Sequence, residues 1–280
     1  MKSAVVLDID NTLTPPRRPL ESEMARALGG LTVPFFIGAG SDLRLAREQL
    51  VEPLHGFGFR GAFDAFLCNG STRYRCDLGE RLAVTLIRQF DFRDHLGNER
   101  FAAVLDAVHA MLDADEFRLP DGMRVIGDRI VDRVSMVNVA PIGRPREQLT
   151  EEMHASRRAF REWDERTGFR RRFLSELRRR LGGIVPNGLH VSLGGETSFD
   201  VVVKGRDKSY PVSTLLEEGF ERVWYVGDAL FEGGNDEAVL RFVEEWPRGR
   251  PCPVEAIAVE SWRETIPALR ALGILAEAGS

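Results

Sequence analysis

Short apolar runs broken by polar turns dominate both ends of the chain. Ser3–Leu7 is continuously apolar after its first residue, the pattern of a strand buried on both faces. It ends at Asp8-Ile9-Asp10, the turn-rich Asn11–Pro19 follows, and helical spacing runs from Glu21 to Leu28 before Gly29-Gly30. Val33–Ile37 predicts a second buried strand, which breaks at Gly38-Ala39-Gly40-Ser41-Asp42. Ser41 or Asp42 can cap a helix that reads on through Leu43, Ala46 and Leu50. Strand, polar turn and helix in succession predict a parallel sheet with right-handed crossovers. The pattern returns near the other end. Lys208–Glu218 reads as helix, Val223–Val226 as a buried strand ending at Gly227-Asp228, and a helical stretch follows Asn235-Asp236. Pro247–Pro253 is a loop, Ala256–Val259 a last short strand and Trp262–Leu272 an amphipathic closing helix.

The middle of the chain is patterned differently. Phe101–Leu112 reads as helix, and Met123–Val139 is rich in alternating β-branched residues. A long Arg/Glu-rich helical region runs from Glu147 to Leu181, and Leu189–Leu193 and Phe199–Val203 read as strands joined around Gly194-Gly195. Strands grouped with helices, without regular alternation, predict an α+β module. The expected fold is therefore α/β: a doubly wound, Rossmann-like parallel-sheet core (residues 1–85 and 204–280) with an inserted α+β cap domain (86–203).

Composition narrows the classes of function. The chain has 280 residues, 43% hydrophobic and 29% charged, enough for a sizeable core. With 38 Lys plus Arg against 43 Asp plus Glu the net charge is -5, which argues against a nucleic-acid or anionic-membrane binder working by bulk charge. The longest apolar runs fall far short of the roughly 20 residues of a membrane span. Three scattered cysteines, Cys68, Cys76 and Cys252, suit neither a disulfide scaffold nor a four-ligand zinc site. The expectation is a cytoplasmic protein with reduced thiols.

In open α/β sheets, ligands collect at the carboxyl ends of the strands. Asp8/Asp10, Ser41-Asp42, Lys208 and Asp228 with Asn235-Asp236 all sit at such positions. Two carboxylates at i and i+2 after a buried strand suit a hard oxygen-binding cation, particularly Mg²⁺. Asp8 and a nearby backbone carbonyl could bind it, Asp228 and Asp236 complete the set, and Asp10 is both counted with the metal ligands and far enough along to face a substrate. A carboxylate held against Mg²⁺ is a competent nucleophile toward phosphorus. The Ser41 hydroxyl at a helix start suits phosphate oxygens, and Lys208 can neutralise charge that accumulates near the nucleophile. These are the parts phosphoryl transfer requires. Taken singly, each has a plainer explanation as a turn residue or helix cap.

The conjunction resembles a known family. Asp8-x-Asp10-Asn11-Thr12-Leu13-Thr14, Ser41-Asp42, Asp207-Lys208, and Gly227-Asp228 with Gly233-Gly234-Asn235-Asp236 look like the four motifs of the haloacid dehalogenase superfamily. Within the insertion, Met136-Val137-Asn138-Val139-Ala140-Pro141-Ile142-Gly143-Arg144 and Gly194-Gly195-Glu196-Thr197-Ser198-Phe199-Asp200-Val201 resemble the cap signature of eukaryotic-type phosphomannomutases. The resemblance implies Asp8 as nucleophile and Asp10 as general acid/base. It implies Arg17 near the substrate, Arg133 and Arg144 holding the distal phosphate, and Arg157 as a third such arginine, with Arg158 as the competing alignment. Ser198 and Asp200 match residues that contact phosphate and sugar hydroxyls, and Asn138 lies in the same pocket region.

Several positions depart from that pattern. Asn11 stands where the motif usually has Gly, Cys68-Asn69-Gly70 where it has Glu-Asn-Gly, and Val134-Ser135 where it has Asn-Gly. Ala229-Leu230-Phe231-Glu232 is more apolar than the family implies. The expected activity is interconversion of mannose 6-phosphate and mannose 1-phosphate, with a hexose 1,6-bisphosphate activator and a dimer formed through the caps, both implied by the resemblance. The alternative is a Mg-dependent capped sugar-phosphate phosphatase. A third reading, a catalytically silent sugar-phosphate binder, is disfavoured by the intact Asp8, Asp10, Lys208 and Asp228. Substrate is a phosphorylated hexose in the first two; no nucleic-acid or membrane partner is expected.

Overall fold

The computed structural model describes residues 1–145 and 150–276. Along the chain the first elements are β1 (Ser3–Leu7), α1 (Ser22–Gly29), β2 (Phe35–Gly38) and α2 (Leu43–Ala46). A π-helical turn, Arg47–Val51, leads into α3 (Glu52–Gly56), followed by β3 (Gly61–Leu67), β4 (Thr72–Leu78) and β5 (Leu82–Gln89). Next come α4 (Phe92–Leu96), α5 (Asn98–Leu112), β6 (Asp128–Asp132), β7 (Val137–Arg144), α6 (Glu151–Thr167), α7 (Phe169–Ile184), β8 (Leu189–Gly194) and β9 (Ser198–Val203). The chain closes with α8 (Tyr210–Glu217), β10 (Arg222–Gly227), α9 (Glu237–Glu244), β11 (Val254–Ala258) and α10 (Trp262–Ala271). No helix among the described residues is long and apolar enough to cross a membrane.

Two compact units result: Met1–Gln89 with Arg206–Ser280, and Phe90–Gly205. The fold is α/β, with a parallel-sheet core and an inserted α+β cap. In the core the described strands run β11-β10-β1-β2-β3-β4-β5. The pairs from β11 to β3 are parallel, and β4 and β5 extend the sheet antiparallel. Alternation along β1 sorts its side chains to two faces. Val5 and Leu7 join Ile37, Trp224 and Leu269 on one side, while Ala4 and Val6 join Phe36, Val212 and Tyr225 on the other. Each fully buried valine, leucine or isoleucine among them contributes about 1.5–3 kcal/mol relative to exposure. Because helices cover both faces, the strand carboxyl ends are left as the place where polar side chains can gather.

The β4–β5 extension was not legible in the sequence, and it moves the boundary of the insertion. Leu82–Gln89 pairs along β4, so a division at residue 86 would cut a strand in two. At the other end Lys204 donates its backbone N–H to the Gly188 carbonyl at 2.8 Å, which ties it to the cap sheet rather than the core.

The cap's sheet runs β6-β7-β9-β8, antiparallel throughout. Val137, Val139, Val191, Phe199 and Val201 enter an apolar core with residues of α5 and α7, including Val104, Phe173 and Leu177. Asn138 and Ser192, both paired with Asp200, alternate to the opposite face. The single helical region expected from Glu147 to Leu181 is two helices, and residues 147–149 lie outside the described residues. Thr150 caps α6, its hydroxyl accepting from Met153 N at 3.3 Å. Gly168, at φ 63° in the left-handed region, ends α6 and starts α7. Helical periodicity continues across this break, which is why the pattern alone missed it.

Candidate functional site

Asp8 follows β1 directly, and Asp228 follows β10. These strands are neighbours in register, with Leu7 opposite Val226, so their carboxyl ends deliver the two aspartates side by side. Asp236 is the residue before α9. Carboxylate oxygens of Asp8, Asp228 and Asp236 all lie within 4.8 Å of one another. Lys208, just ahead of α8, is 1% exposed and places Nζ 2.9 Å from Asp8 Oδ1 and 2.6 Å from Asp236 Oδ1. Asp236 Oδ1 also accepts from the Tyr225 hydroxyl at 2.7 Å, and its Oδ2 from Ala229 N at 3.1 Å. Asp228 Oδ2 accepts from Asn11 Nδ2 at 3.1 Å.

Three carboxylates face one ammonium here, an excess of negative charge in a site where Asp8 is 3% and Asp236 0% exposed. Burial raises the Asp8 carboxyl to about 8; Lys208 opposes this, while Asp236 and Asp228 add to it. Burial likewise raises Asp228, helped by Asp236 and opposed by Asn11. Burial works against the Lys208 charge, but Asp236 and Asp8 outweigh it and hold the ammonium above its ordinary range. A cluster of hard oxygen donors with uncompensated negative charge fits a divalent cation such as Mg²⁺. The carboxylates placed to hold one are those of Asp8, Asp228 and Asp236.

Asp10 does not join that set, which corrects the expectation that its carboxylate is a metal ligand. Its Oδ1 accepts from Gln49 Nε2 at 2.7 Å and Arg17 N at 2.9 Å, and its Oδ2 lies 3.5 Å from Arg17 Nε. At i+2 the chain has already turned, with Asn11 at φ 59° and Asn11 N donating to the Thr14 carbonyl at 2.8 Å. The carboxylate therefore points to Arg17 and Gln49. Arg17 itself is exposed apart from this contact. Asp42 rather than Ser41 caps α2, accepting from Leu45 N at 3.0 Å. The buried Ser41 hydroxyl has no protein partner. A buried hydroxyl without a partner carries a desolvation cost of about 1–3 kcal/mol, which a ligand oxygen would remove.

The cap carries its own polar cluster, on the sheet face opposite the apolar core. Asn138 Nδ2 donates to Asp200 Oδ1 at 2.6 Å and to Ser198 Oγ at 3.1 Å, and Arg144 donates to Asn138 Oδ1 at 3.2 Å. Arg144 is six residues beyond Asn138, too far along a straight strand for their side chains to touch. A bulge solves this: positions 139 to 144 of β7 run against only 128 to 130 of β6. Gly143, at φ 80°, makes the bulge possible, since a Cβ there would meet Gly127 O at 2.2 Å. Arg133 lies in the β6–β7 turn at the Asn138 end, beside Val134 at φ 67°. Arg157 and Arg158 are separated by their partners. Arg157 pairs with Glu196 of the β8–β9 turn at 3.1 Å, whereas Arg158 pairs with Glu151 on its own helix at 3.0 Å. Arg157 is thus the one directed toward the Ser198–Asp200 strand.

Sequence reasoning missed Gln49, Tyr225, Glu196 and Arg170. Gln49, 2% exposed, is carried by the π-helical turn, which widens the helix locally and which no periodicity announces. Arg170 donates to the Gly195 carbonyl at 2.6 Å and the Ser198 carbonyl at 3.0 Å, holding the turn that bears Glu196. A buried polar residue inside an apolar strand, as Tyr225 is, was the available signal for the second.

The family model described as "Eukaryotic phosphomannomutase" matches residues 29–245. The matched stretch includes Ser41, Lys208, Asp228, Asp236 and the cap residues, while Asp8 and Asp10 precede it. The phosphomannomutase of Schizosaccharomyces pombe is 34% identical over 243 residues, covering 85% of each chain. That of Saccharomyces cerevisiae is 34% identical over 247 residues, 87% of this chain and 86% of the relative. Among solved structures, an IMP-bound, N-terminally truncated IMP-nucleotidase of Plasmodium falciparum is similar in fold, with TM-score 0.62 and 13% identity over 98% of this chain and 68% of that one.

Proposed function

Because this chain belongs to the eukaryotic phosphomannomutase family, we propose that it interconverts mannose 6-phosphate and mannose 1-phosphate through a phosphoryl group carried on Asp8. The observation that carries this reading is the buried convergence of Asp8, Lys208, Asp228 and Asp236.

In the proposed cycle an Asp8 carboxylate oxygen forms a bond to phosphorus as the bond from phosphorus to the sugar oxygen breaks. The phosphoryl group comes from a hexose 1,6-bisphosphate. Asp10 gives its proton to the departing sugar oxygen, then takes the proton of whichever hydroxyl attacks the phosphoaspartate. Gln49 and Arg17, bonded to Asp10 Oδ1, fix that carboxyl. Lys208 keeps Asp8 and Asp236 in place and offsets charge on the transferring group. Ser41 Oγ donates to a phosphoryl oxygen. Asp8, Asp228 and Asp236 would hold Mg²⁺, which when bound would supply positive charge against the carboxylates and the phosphoryl oxygens. In the cap, Arg133, Arg144 and Arg157 hold the phosphate that is not reacting, and Asn138, Ser198 and Asp200 take the sugar hydroxyls and remaining phosphate contacts. We also propose a homodimer through the cap and a cytoplasmic setting, the latter supported by Cys68, Cys76 and Cys252, which form no disulfide among the described residues.

The test is a coupled assay with mannose 1-phosphate and Mg²⁺, with and without glucose 1,6-bisphosphate, following hexose 6-phosphate and free phosphate together. Activator-dependent formation of mannose 6-phosphate is expected. Phosphate release without isomer would mean that water, and not a sugar hydroxyl, takes the group from Asp8.

A further inference from the structure

We infer that Asn11 is a positioning residue of the acidic site, holding Asp228 where its carboxylate can share a cation with Asp8 and Asp236. Asn11 Nδ2 donates to Asp228 Oδ2 at 3.1 Å and to the Glu260 carbonyl at 3.2 Å. An amide nitrogen has two N–H groups, and both are used. Asn11 follows β1, Asp228 follows β10 and Glu260 follows β11, and these three strands are neighbours in the sheet. The side chain is therefore a strut across three adjacent strand ends.

The other two carboxylates do not need it. Asp8 and Asp236 are buried and both bound by Lys208, and Asp236 has Tyr225 and Ala229 N besides. Asp228 is partly exposed and begins the loop toward Asp236. Like charges push it toward water, and the Asn11 amide opposes that motion. Glu260 O anchors the strut from the far side, on backbone that also carries the Glu260 N to Glu264 bond of 2.8 Å.

The inference rests on the cation-binding reading, so the experiment separates the two. Mg²⁺ binding to metal-free protein is measured by calorimetry for the parent, Asn11→Gly, Asp228→Asn and the double variant. Glycine is chosen because it adopts the φ of 59° without strain, so the amide is removed and the turn is kept. Loss of such an outer contact costs metal affinity roughly ten- to a hundredfold. For a partly exposed bond we expect about a tenfold weaker Kd in Asn11→Gly. The melting temperature in EDTA should stay near the parent's. In the Asp228→Asn background Asn11→Gly should change little. If Asp228→Asn abolishes binding but Asn11→Gly matches the parent, the Asn11 role is overturned and the cation site stands. An equal loss from Asn11→Gly in both backgrounds also overturns it, since Asn11 would then act without Asp228. If neither substitution alters Mg²⁺ binding, the cation site itself is wrong.

Discussion

The acidic site is built for chemistry at the expense of stability, and Asp8→Asn exposes the cost. Burial, with Asp236 and Asp228 behind it, outweighs Lys208 and raises the Asp8 carboxyl from 3.8 to about 8. The folded value lies above the unfolded one, so between those limits the native state holds a proton that the unfolded chain has released. Metal-free stability must then fall as pH rises from about 4 to about 8. At pH 7 the span from 3.8 corresponds to about 4 kcal/mol at 1.36 kcal/mol per pH unit. Relaxation and water penetration reduce such penalties in real proteins, so about 2 kcal/mol is the expected effect. Asparagine keeps the shape and carries no charge. Asp8→Asn should therefore be more stable than the parent in EDTA at pH 7 by about 2 kcal/mol, or about 5 °C in melting temperature. The gap should vanish near pH 4 and shrink when Mg²⁺ is added. Phosphoryl transfer should be abolished throughout. Thermal melts in EDTA at several pH values, beside a phosphoenzyme assay, check both halves. A variant no more stable than its parent at pH 7, or a gap that ignores pH, would refute the charge argument; retained turnover would show that another residue is the nucleophile.

Three further outcomes are expected. Lys208→Met leaves buried carboxylates without their cation, so it should lower kcat at least a hundredfold and cost about 3 kcal/mol in EDTA at pH 8, read by denaturant titration. Gly143→Ala forces a Cβ to 2.2 Å from Gly127 O, which should destabilise the cap by at least about 2 kcal/mol and raise KM for mannose 1-phosphate through displacement of Arg144. Arg133→Ala with Arg144→Ala should cut isomer formation far more than phosphate release, and parallel loss of both products would count against a distal-phosphate role.

Much of the core was legible because buried parallel strands are short apolar runs ended by polar turns. Ser3–Leu7 is a strand over that range, and the acids that follow β1 and β10 were readable from where those runs stop. Edge strands gave no such signal. β5 is largely exposed, so Leu82–Gln89 mixes polar and apolar residues without a buried pattern. In the cap, the Asn138–Asp200 partnership follows from alternation once the register is known, but a register joining residues 62 apart in sequence is not a local property.

By itself the sequence determined the order of the buried core elements, the presence of an inserted unit and the chemical types waiting at the strand ends, since these depend on side-chain periodicity. Only the tertiary structure decided which groups meet. Strand order put residue 8 beside 228, a π turn brought Gln49 to Asp10, and a bulge returned Arg144 to Asn138. Asp10 left the acidic cluster for the same reason: two residues past a strand, the direction of a side chain is set by the turn, and a turn is shaped by what packs around it.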